Sequence, residues 1–258
     1  MATLLKTENI VMKFEGLTAI NNLNLEIHEH QIFGLIGPNG AGKTTAFNVI
    51  TGFLVPTEGK VYFKGEDITG LKPNHITKRG IARTFQNIKL FPEMSVIENV
   101  MTGFHIHRKF NFFEAMFRLP RFFKDEAKMY RKGMELLDLV GLTQFASDQA
   151  GSLPYGHQRK LEIARALATA PTMLLLDEPA AGMNPQESTE LMDLIRKLRD
   201  EMNLTVLLIE HDMKVVMGIC ERIKVLDHGE EIAEGTPEEI RNNPRVIEAY
   251  LGEAKKVA

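Results

Sequence analysis

A glycine-rich loop is the feature that most constrains this chain. It reads Gly37-Pro38-Asn39-Gly40-Ala41-Gly42-Lys43-Thr44 and lies between an apolar run over 31–36 and a helix-compatible run over 45–50. In the order strand, loop, helix, the G-x-x-x-x-G-K-T spacing is typical of a loop that cradles phosphate. The glycines let the backbone approach oxygen atoms with no Cβ in the way. The loop amides and the positive end of the helix then face the same anion. We therefore expect the chain to bind a nucleoside triphosphate.

The side chains at the end of this loop have distinct expected roles. We expect Lys43 to place its ammonium near the β- and γ-phosphates and Thr44 to offer its hydroxyl to Mg²⁺. The alternative is an ordinary glycine-rich turn before a helix, which would bind no nucleotide. The residues predicted to hold nucleotide are Gly37, Pro38, Asn39, Gly40, Ala41, Gly42, Lys43, Thr44 and Thr45.

Composition limits the class of protein. A chain of 258 residues with 44% hydrophobic residues can bury a full core. Its 25% charged residues and net charge of −3 argue against a domain built mainly to coat nucleic acid. The single cysteine, Cys220, excludes an internal disulfide framework, and we expect it to fill core space. With no apolar run near the ~18 residues of a membrane span and no signal peptide in view, we expect a soluble, cytoplasmic chain.

Hydrophobic patterning predicts an α/β nucleotide-binding core interrupted by a helical subdomain. Purely apolar runs at 173–176 and 205–209, with a helix-like segment over 187–201 between them, read as a β-α-β unit of a parallel sheet. We predict a single domain over 1–258, with its core in 1–91 and 168–258 and the helical subdomain in 92–167. Further predicted features are β-structure over 4–32, strands at 59–63, 80–85 and 222–227, a polar connection over 69–74, helices over 124–140 and 158–167, and helices after 236.

Two acids follow one buried strand and a histidine follows the other. Parallel α/β sheets place their ligands at the carboxyl ends of the strands. Asp177 there suits the water shell of Mg²⁺, and Glu178 is placed to orient or deprotonate an attacking water. His211 is placed to donate to the γ-phosphate or the water. Taken singly, two acids after a strand are common, and a histidine there is more often a cap or a surface residue.

Gln86 and Phe14 carry weaker signals. Gln86 follows an apparent strand, and its neutral amide is suited to bind Mg²⁺ or water. Phe14 precedes a turn upstream of the loop, where its ring is suited to stack on a base. The alternative for Phe14 is an ordinary core residue.

Together these motifs resemble the ATP-binding-cassette (ABC) family, and the resemblance covers essentially the whole chain in the family's order. It implies an α/β fold with a P-loop nucleotide-binding core, an antiparallel β subdomain and an inserted α-helical subdomain. It further implies ATP and Mg²⁺ as cofactors and Glu178, His211, Gln86 and Lys43 as catalytic residues. Thr44, Gln86 and Asp177 are then the metal set, and Phe14 stacks on the base. The signature segment that contacts a partner's ATP becomes Leu153, Pro154, Tyr155, Gly156 and His157.

The signature segment departs from the family form Leu-Ser-Gly-Gly-Gln. Pro154 and Tyr155 replace Ser and Gly, and His157 replaces Gln. In the family, this Ser hydroxyl and the adjacent amides bind the γ-phosphate held by the partner, whereas Pro154 has neither a hydroxyl nor an N–H. We expect this signature to be the weaker half of the composite site that it completes. Asn184 similarly stands where many relatives carry Asp.

The motifs are similar to one group in particular, the LivG-type ATPase subunits of high-affinity branched-chain amino acid importers. This resemblance implies a second ABC ATPase subunit, identical or related, two membrane permease subunits, an indirectly coupled substrate-binding protein and no nucleic acid partner. It places the chain on the inner face of the membrane. Alternatives are the cassette of another transporter (for another amino acid, an amide or a lipid), a soluble cassette acting on nucleic acid or ribosomes, or a non-hydrolysing regulatory module.

The segment from Phe104 to Lys124 is rich in phenylalanine and has a charge of +4, from five basic residues and one acid. One interpretation is a helical subdomain with an aromatic core and solvated charges. The other is a basic, aromatic surface that meets the permease or the anionic membrane face.

Overall fold

The computed structural model describes residues 2–107 and 120–254, with side chains over 2–106 and 123–250, and the chain divides into two compact units. The first, here the core unit, comprises Met1–Arg83 and Thr172–Ala258. The second, here the helical unit, comprises Thr84–Pro171.

An antiparallel sheet begins the core unit. Its strands, in the order β2-β1-β4-β5, are β1 (Thr3–Phe14), β2 (Leu17–His28), β4 (Glu58–Phe63) and β5 (Glu66–Asp67). In β2, Leu23, Leu25 and Ile27 are buried and alternate with exposed polar residues, so one face of the strand packs and the other meets water. The prediction of β-structure over 4–32 is confirmed.

A mainly parallel sheet forms the rest of the core unit. Its order is β10-β9-β3-β8-β7-β6, and only β10 runs antiparallel to its neighbour. The strands are β3 (Ile32–Ile36), β6 (Ile81–Arg83), β7 (Met173–Asp177), β8 (Thr205–Ile209), β9 (Arg222–Asp227) and β10 (Glu230–Gly235). Every residue of β3, β7 and β8 is buried, as expected of apolar runs covered on both faces.

The helices of the core unit are α1 (Lys43–Ile50), α2 (Pro73–Arg79), α6 (Pro185–Met202), α7 (Met213–Ile219), α8 (Pro237–Arg241) and α9 (Pro244–Ala254). Phe33 of β3, Phe47 of α1 and Phe63 of β4 belong to one buried apolar cluster, which joins the two sheets through α1. Asn184 begins α6 with a capping box: its side chain accepts the Glu187 amide N–H, and Glu187 accepts that of Asn184.

The helical unit contains α3 (Val96–Phe104), α4 (Pro120–Leu139) and α5 (Tyr155–Leu167). Gly103 lets α3 approach α5 closely, because a Cβ there would lie 2.4 Å from the carbonyl oxygen of Arg165. The helices predicted over 124–140 and 158–167 are confirmed. Most of the phenylalanine-rich segment, residues 108–119, lies outside the described residues.

The helical unit starts at Thr84 and ends at Pro171, whereas the patterning places the subdomain at 92–167. The earlier start is consistent with the contacts of Arg159 on α5, whose Nη1 forms a buried ion pair with Glu162 Oε2 at 2.8 Å. Arg159 is fully buried and also donates to the carbonyl oxygens of Phe85 (2.6 Å) and Gln86 (2.7 Å). Burial raises the pKa of Glu162 while the Arg159 guanidinium opposes that rise. The backbone around Gln86 is therefore bonded to the helix that carries the signature segment.

The sequence patterns missed β5, α7 and two mostly polar elements. Helix α2 begins within the supposed polar connection, and β10 occupies residues that were given no structure. Both are short and mostly polar, and only Ile76 of α2 and Gly235 of β10 are buried, so neither has a clear hydrophobic period. Across residues 2–107 and 120–254, every helix is too short or too polar to cross a lipid bilayer.

Candidate nucleotide-binding site

The phosphate loop joins the end of β3 to α1 and depends on glycine at two crowded positions. Gly37 has φ of 149°, and a Cβ there would lie 2.0 Å from the carbonyl oxygen of Leu226. Gly42 has φ of 98°, and its Cβ would lie 2.5 Å from the carbonyl oxygen of Ala19. Any side chain at either position would displace the loop from the backbone that supports it.

The first turn of α1 is suited to bind an anion. Its N-cap is Gly42, which has no side chain to cap the helix, and the turn contains no acidic residue. The leading amides of a helix have no intrahelical acceptor, and the helix dipole adds positive potential there. Lys43 is 7% exposed, and its Nζ donates to the carbonyl oxygens of Gly37 (2.6 Å) and Pro38 (2.7 Å). The ammonium is thus held against the loop, where a phosphate group would compete with these carbonyls.

Strand register brings the other candidate residues of the core unit to the same edge. Leu35 of β3 pairs with Ile209 of β8, and Ile209 pairs with Asp177 of β7. The phosphate loop, the two acids and His211 therefore all follow the carboxyl ends of neighbouring parallel strands, as ligand sites in α/β sheets do.

Asp177 is buried and has a cationic partner. Its Oδ2 lies 2.8 Å from Nη2 of Arg83, the last residue of β6. Arg83 Nη1 donates to Asn48 Oδ1 (2.7 Å) and Thr51 Oγ1 (3.2 Å), at the end of α1. The carboxylate is thereby tied to the helix that follows the phosphate loop. Nothing in the local sequence around Arg83 indicates this pairing, and sequence reasoning missed it.

Glu178 and His211 approach each other directly. His211 Nδ1 lies 3.7 Å from Glu178 Oε2, with the histidine side chain 61% exposed and the glutamate 18% exposed. Glu178 has φ of 45°, a left-handed conformation that is unusual for a residue other than glycine, and its N–H donates to the carbonyl oxygen of Ile209 (2.9 Å). Backbone of this kind clusters at functional sites. The arrangement places a carboxylate and an imidazole together at the carboxyl ends of β7 and β8.

Comparison with known proteins agrees with this site. A family model described as ABC transporter matches residues 20–181, more than half of the chain, and one described as branched-chain amino acid ATP-binding cassette transporter matches residues 230–256. The chain is 51% identical over 251 residues, 97% of its length and 98% of the relative's, to the high-affinity branched-chain amino acid transport ATP-binding protein BraF of Pseudomonas aeruginosa. The chain belongs to the ABC transporter family.

Other similarities support the same assignment. The cassette is 49% identical over 97% of its length to LivG of Escherichia coli K12, a high-affinity branched-chain amino acid transport ATP-binding protein, and covers 98% of it. It matches the crystal structure of the ADP conformation of an ABC transporter cassette with a TM-score of 0.86 and 34% identity, over 98% of this chain and 100% of that one. The predicted family and fold class are therefore confirmed. As an ATP-binding cassette, the chain is an ATP-hydrolysing, nucleotide-binding enzyme.

The helical unit of the cassette carries Gln86 and the signature segment. Helix α5 begins at Tyr155 with Pro154 as its N-cap, which makes no capping hydrogen bond. Leu153 is buried and Tyr155 is 44% exposed. The contact of this helix N-terminus with a partner's ATP stays a prediction.

Phe14 is not a core residue of the cassette. It lies at the end of β1, opposite Leu17, with 41% of its surface exposed. The stacking of its ring on a base stays a prediction. Cys220, in contrast, is buried, as expected of a core filler, and burial raises the pKa of its thiol to about 12.

The donors predicted for magnesium suit that ion. Thr44, Gln86 and Asp177 offer a hydroxyl, an amide and a carboxylate, and Mg²⁺ prefers oxygen ligands while keeping several waters. The described parts of the chain contain no cluster of three or more His, Cys, Asp or Glu residues that could form an all-protein metal cage.

Proposed function

We propose that this cassette is the ATP-hydrolysing subunit of an importer that takes up branched-chain amino acids through separate membrane permease subunits. The main support is the convergence of the phosphate loop, Asp177, Glu178 and His211 at one sheet edge, in a chain about half identical to branched-chain amino acid transport ATP-binding proteins. The match of residues 230–256 to the branched-chain cassette model supports the same substrate class.

The roles of the core-unit residues follow from their chemistry. Lys43 and the amides of 39–44 bind the phosphates. Glu178 accepts a proton from the attacking water, and such general-base help is worth ~10²–10⁴ in rate. His211, beside it, donates to the γ-phosphate. Thr44, Gln86 and Asp177 would hold Mg²⁺, which supplies charge neutralisation at the β- and γ-phosphates when bound.

Two cassettes, identical or related, close face to face in the proposed machine, and each signature segment completes the partner's ATP site. At this chain's signature the helix dipole and the amide of Gly156 remain as donors, while Pro154 contributes none. We therefore propose that the partner's site is the weaker of the two. Hydrolysis reopens the pair, and this movement drives two permease subunits that hold the cassettes at the inner membrane face. A substrate-binding protein delivers the amino acid from outside.

The first test removes the proposed base. We expect Glu178→Gln to retain ATP and to trap the closed pair while hydrolysis falls by ~10² or more. Glu201→Gln, an exposed position near the end of α6, is the matched control and should hydrolyse ATP at the parent rate. Hydrolysis by Glu178→Gln at the parent rate would refute the assignment of the base.

The second test addresses transport. Proteoliposomes that contain the cassette, a sister cassette and permeases of its own organism should take up labelled leucine, isoleucine or valine when ATP and a binding protein are present. Glu178→Gln should abolish this uptake. Stimulation of the ATPase by DNA or RNA and not by the permeases would favour a nucleic-acid cassette, and uptake of another solute alone would reassign the substrate.

A further inference from the structure

Glu210 is a buried carboxylate between two loops of the site. It directly follows β8 and is 1% exposed. Its Oε1 accepts the N–H of Ala180 at 2.7 Å, and its Oε2 accepts those of His211 at 3.1 Å and Asp212 at 3.4 Å. One carboxylate oxygen thus accepts a hydrogen bond from the loop after β7, and the other accepts hydrogen bonds from the loop after β8.

These loops carry the two side chains assigned to hydrolysis. Glu178 lies two residues before Ala180, in its left-handed conformation, and its N–H is held by Ile209, the residue before Glu210. His211 follows Glu210 directly, and the Nδ1 of its largely exposed ring lies 3.7 Å from Glu178 Oε2. The backbones on both sides of this contact are therefore bonded to Glu210 or its neighbour.

We propose that Glu210 is a positioning residue that fixes His211 relative to the proposed base, Glu178. A carboxylate is suited to this task because both of its oxygens accept hydrogen bonds, and charge strengthens each one. A carboxamide has one oxygen, so its NH₂ group would face the N–H of one of the two loops. That loop would lose its anchor and shift. This inference rests on the roles proposed above for Glu178 and His211.

The test is Glu210→Gln, which keeps the shape of the side chain. We expect kcat for ATP hydrolysis to fall at least tenfold, with KM for ATP within threefold of the parent value, because the phosphate loop is untouched. A purely structural role would lower the melting temperature and the amount of active protein without this division between kcat and KM. The matched control is Glu239→Gln on α8, whose carboxylate also accepts a backbone N–H, that of Thr236, and it should leave both constants unchanged.

A double variant separates positioning from other effects. If Glu210 acts by placing His211, Glu210→Gln should lower kcat much less in a His211→Ala background than in the parent. An equal fall in both backgrounds would overturn the proposal, as would a parent-like kcat for Glu210→Gln. Should the amide variant not fold, Glu210→Asp carries the test: it keeps the charge but shortens the reach to Ala180, and a parent-like kcat would again overturn the proposal.

The outcomes also distinguish the two levels of inference. If Glu178→Gln hydrolyses ATP at the parent rate, the assignment of Glu178 as the base is refuted, and so is the proposed function that depends on it. If Glu178→Gln is inactive and Glu210→Gln is fully active, the proposed function stands and only the positioning role of Glu210 is refuted.

Discussion

Replacement of Arg83 by methionine tests the buried ion pair that supports the acidic edge of the sheet. The Arg83 and Asp177 side chains are 7% and 5% exposed, and they meet at 2.8 Å. Methionine keeps an unbranched stem but leaves the carboxylate of Asp177 buried without its cation. Removal of one partner from a buried pair costs about 3–5 kcal/mol, because the remaining charge is desolvated and uncompensated.

The other contacts of Arg83 add little to that figure. Asn48 Oδ1 and Thr51 Oγ1 each lose the Arg83 donor, but Thr51 Oγ1 keeps its own hydrogen bond to the carbonyl oxygen of Phe47 at 2.5 Å. The guanidinium also lies 5.5 Å from the centre of the Phe47 ring, but the methionine stem retains apolar contact there. We therefore keep the estimate at ~3–5 kcal/mol, which corresponds to a fall of ~6–20 °C in melting temperature for a chain of this size.

Urea unfolding followed by far-UV circular dichroism is the appropriate assay, since the chain contains no tryptophan. Arg79→Met is the matched control, because Arg79 meets Glu66 only at the surface, at 3.4 Å with side chains 38% and 71% exposed. Its loss should be below about 1 kcal/mol. In the double variant Arg83→Met/Asp177→Asn no charge is stranded, so the total loss should be at least ~2 kcal/mol smaller than the sum of the single losses.

Two results would refute this reasoning. A loss below 1 kcal/mol for Arg83→Met would show that the pair contributes no more than a surface contact. Additive losses in the double variant would show that the two side chains do not interact in the folded protein.

Three further predictions concern separate parts of the chain. Lys43→Ala should abolish tight ATP binding in an equilibrium titration, because it removes the ammonium at the phosphate loop; binding at the parent affinity would contradict the site. Asn184→Ala should lower the free energy of unfolding by ~1 kcal/mol in a urea titration, since α6 loses its cap, and an unchanged midpoint would contradict the capping box. Cys220, with a thiol pKa of about 12, should resist alkylation at pH 8 until urea unfolds the chain and the pKa falls to its ordinary value. Rapid alkylation of the folded protein, at urea concentrations below the unfolding transition, would contradict its burial.

The phosphate loop and the placement of Glu178 and His211 beside it could be predicted because their signals are local. A fixed spacing identifies the loop, and Glu178 and His211 each follow a short apolar run. Because the carboxyl ends of parallel strands lie at the same edge of a sheet, residues that follow these separate runs are predicted to form one site. The register of β3, β8 and β7 realises that edge.

Arg83 and Glu210 could not be assigned from the sequence because their partners are set by the tertiary fold. Arg83 is 94 residues from Asp177, and Glu210 is 30 residues from Ala180. An arginine at a strand end and an acid beside a histidine are common, and only sheet order brings them to their partners. Both side chains are buried and charged, which is costly unless every charge is satisfied. Arg83 pairs with Asp177, the residue before Glu178, and Glu210 accepts the N–H of Ala180, two residues after it. Both charged side chains therefore form hydrogen bonds with groups that lie close to Glu178 in the chain.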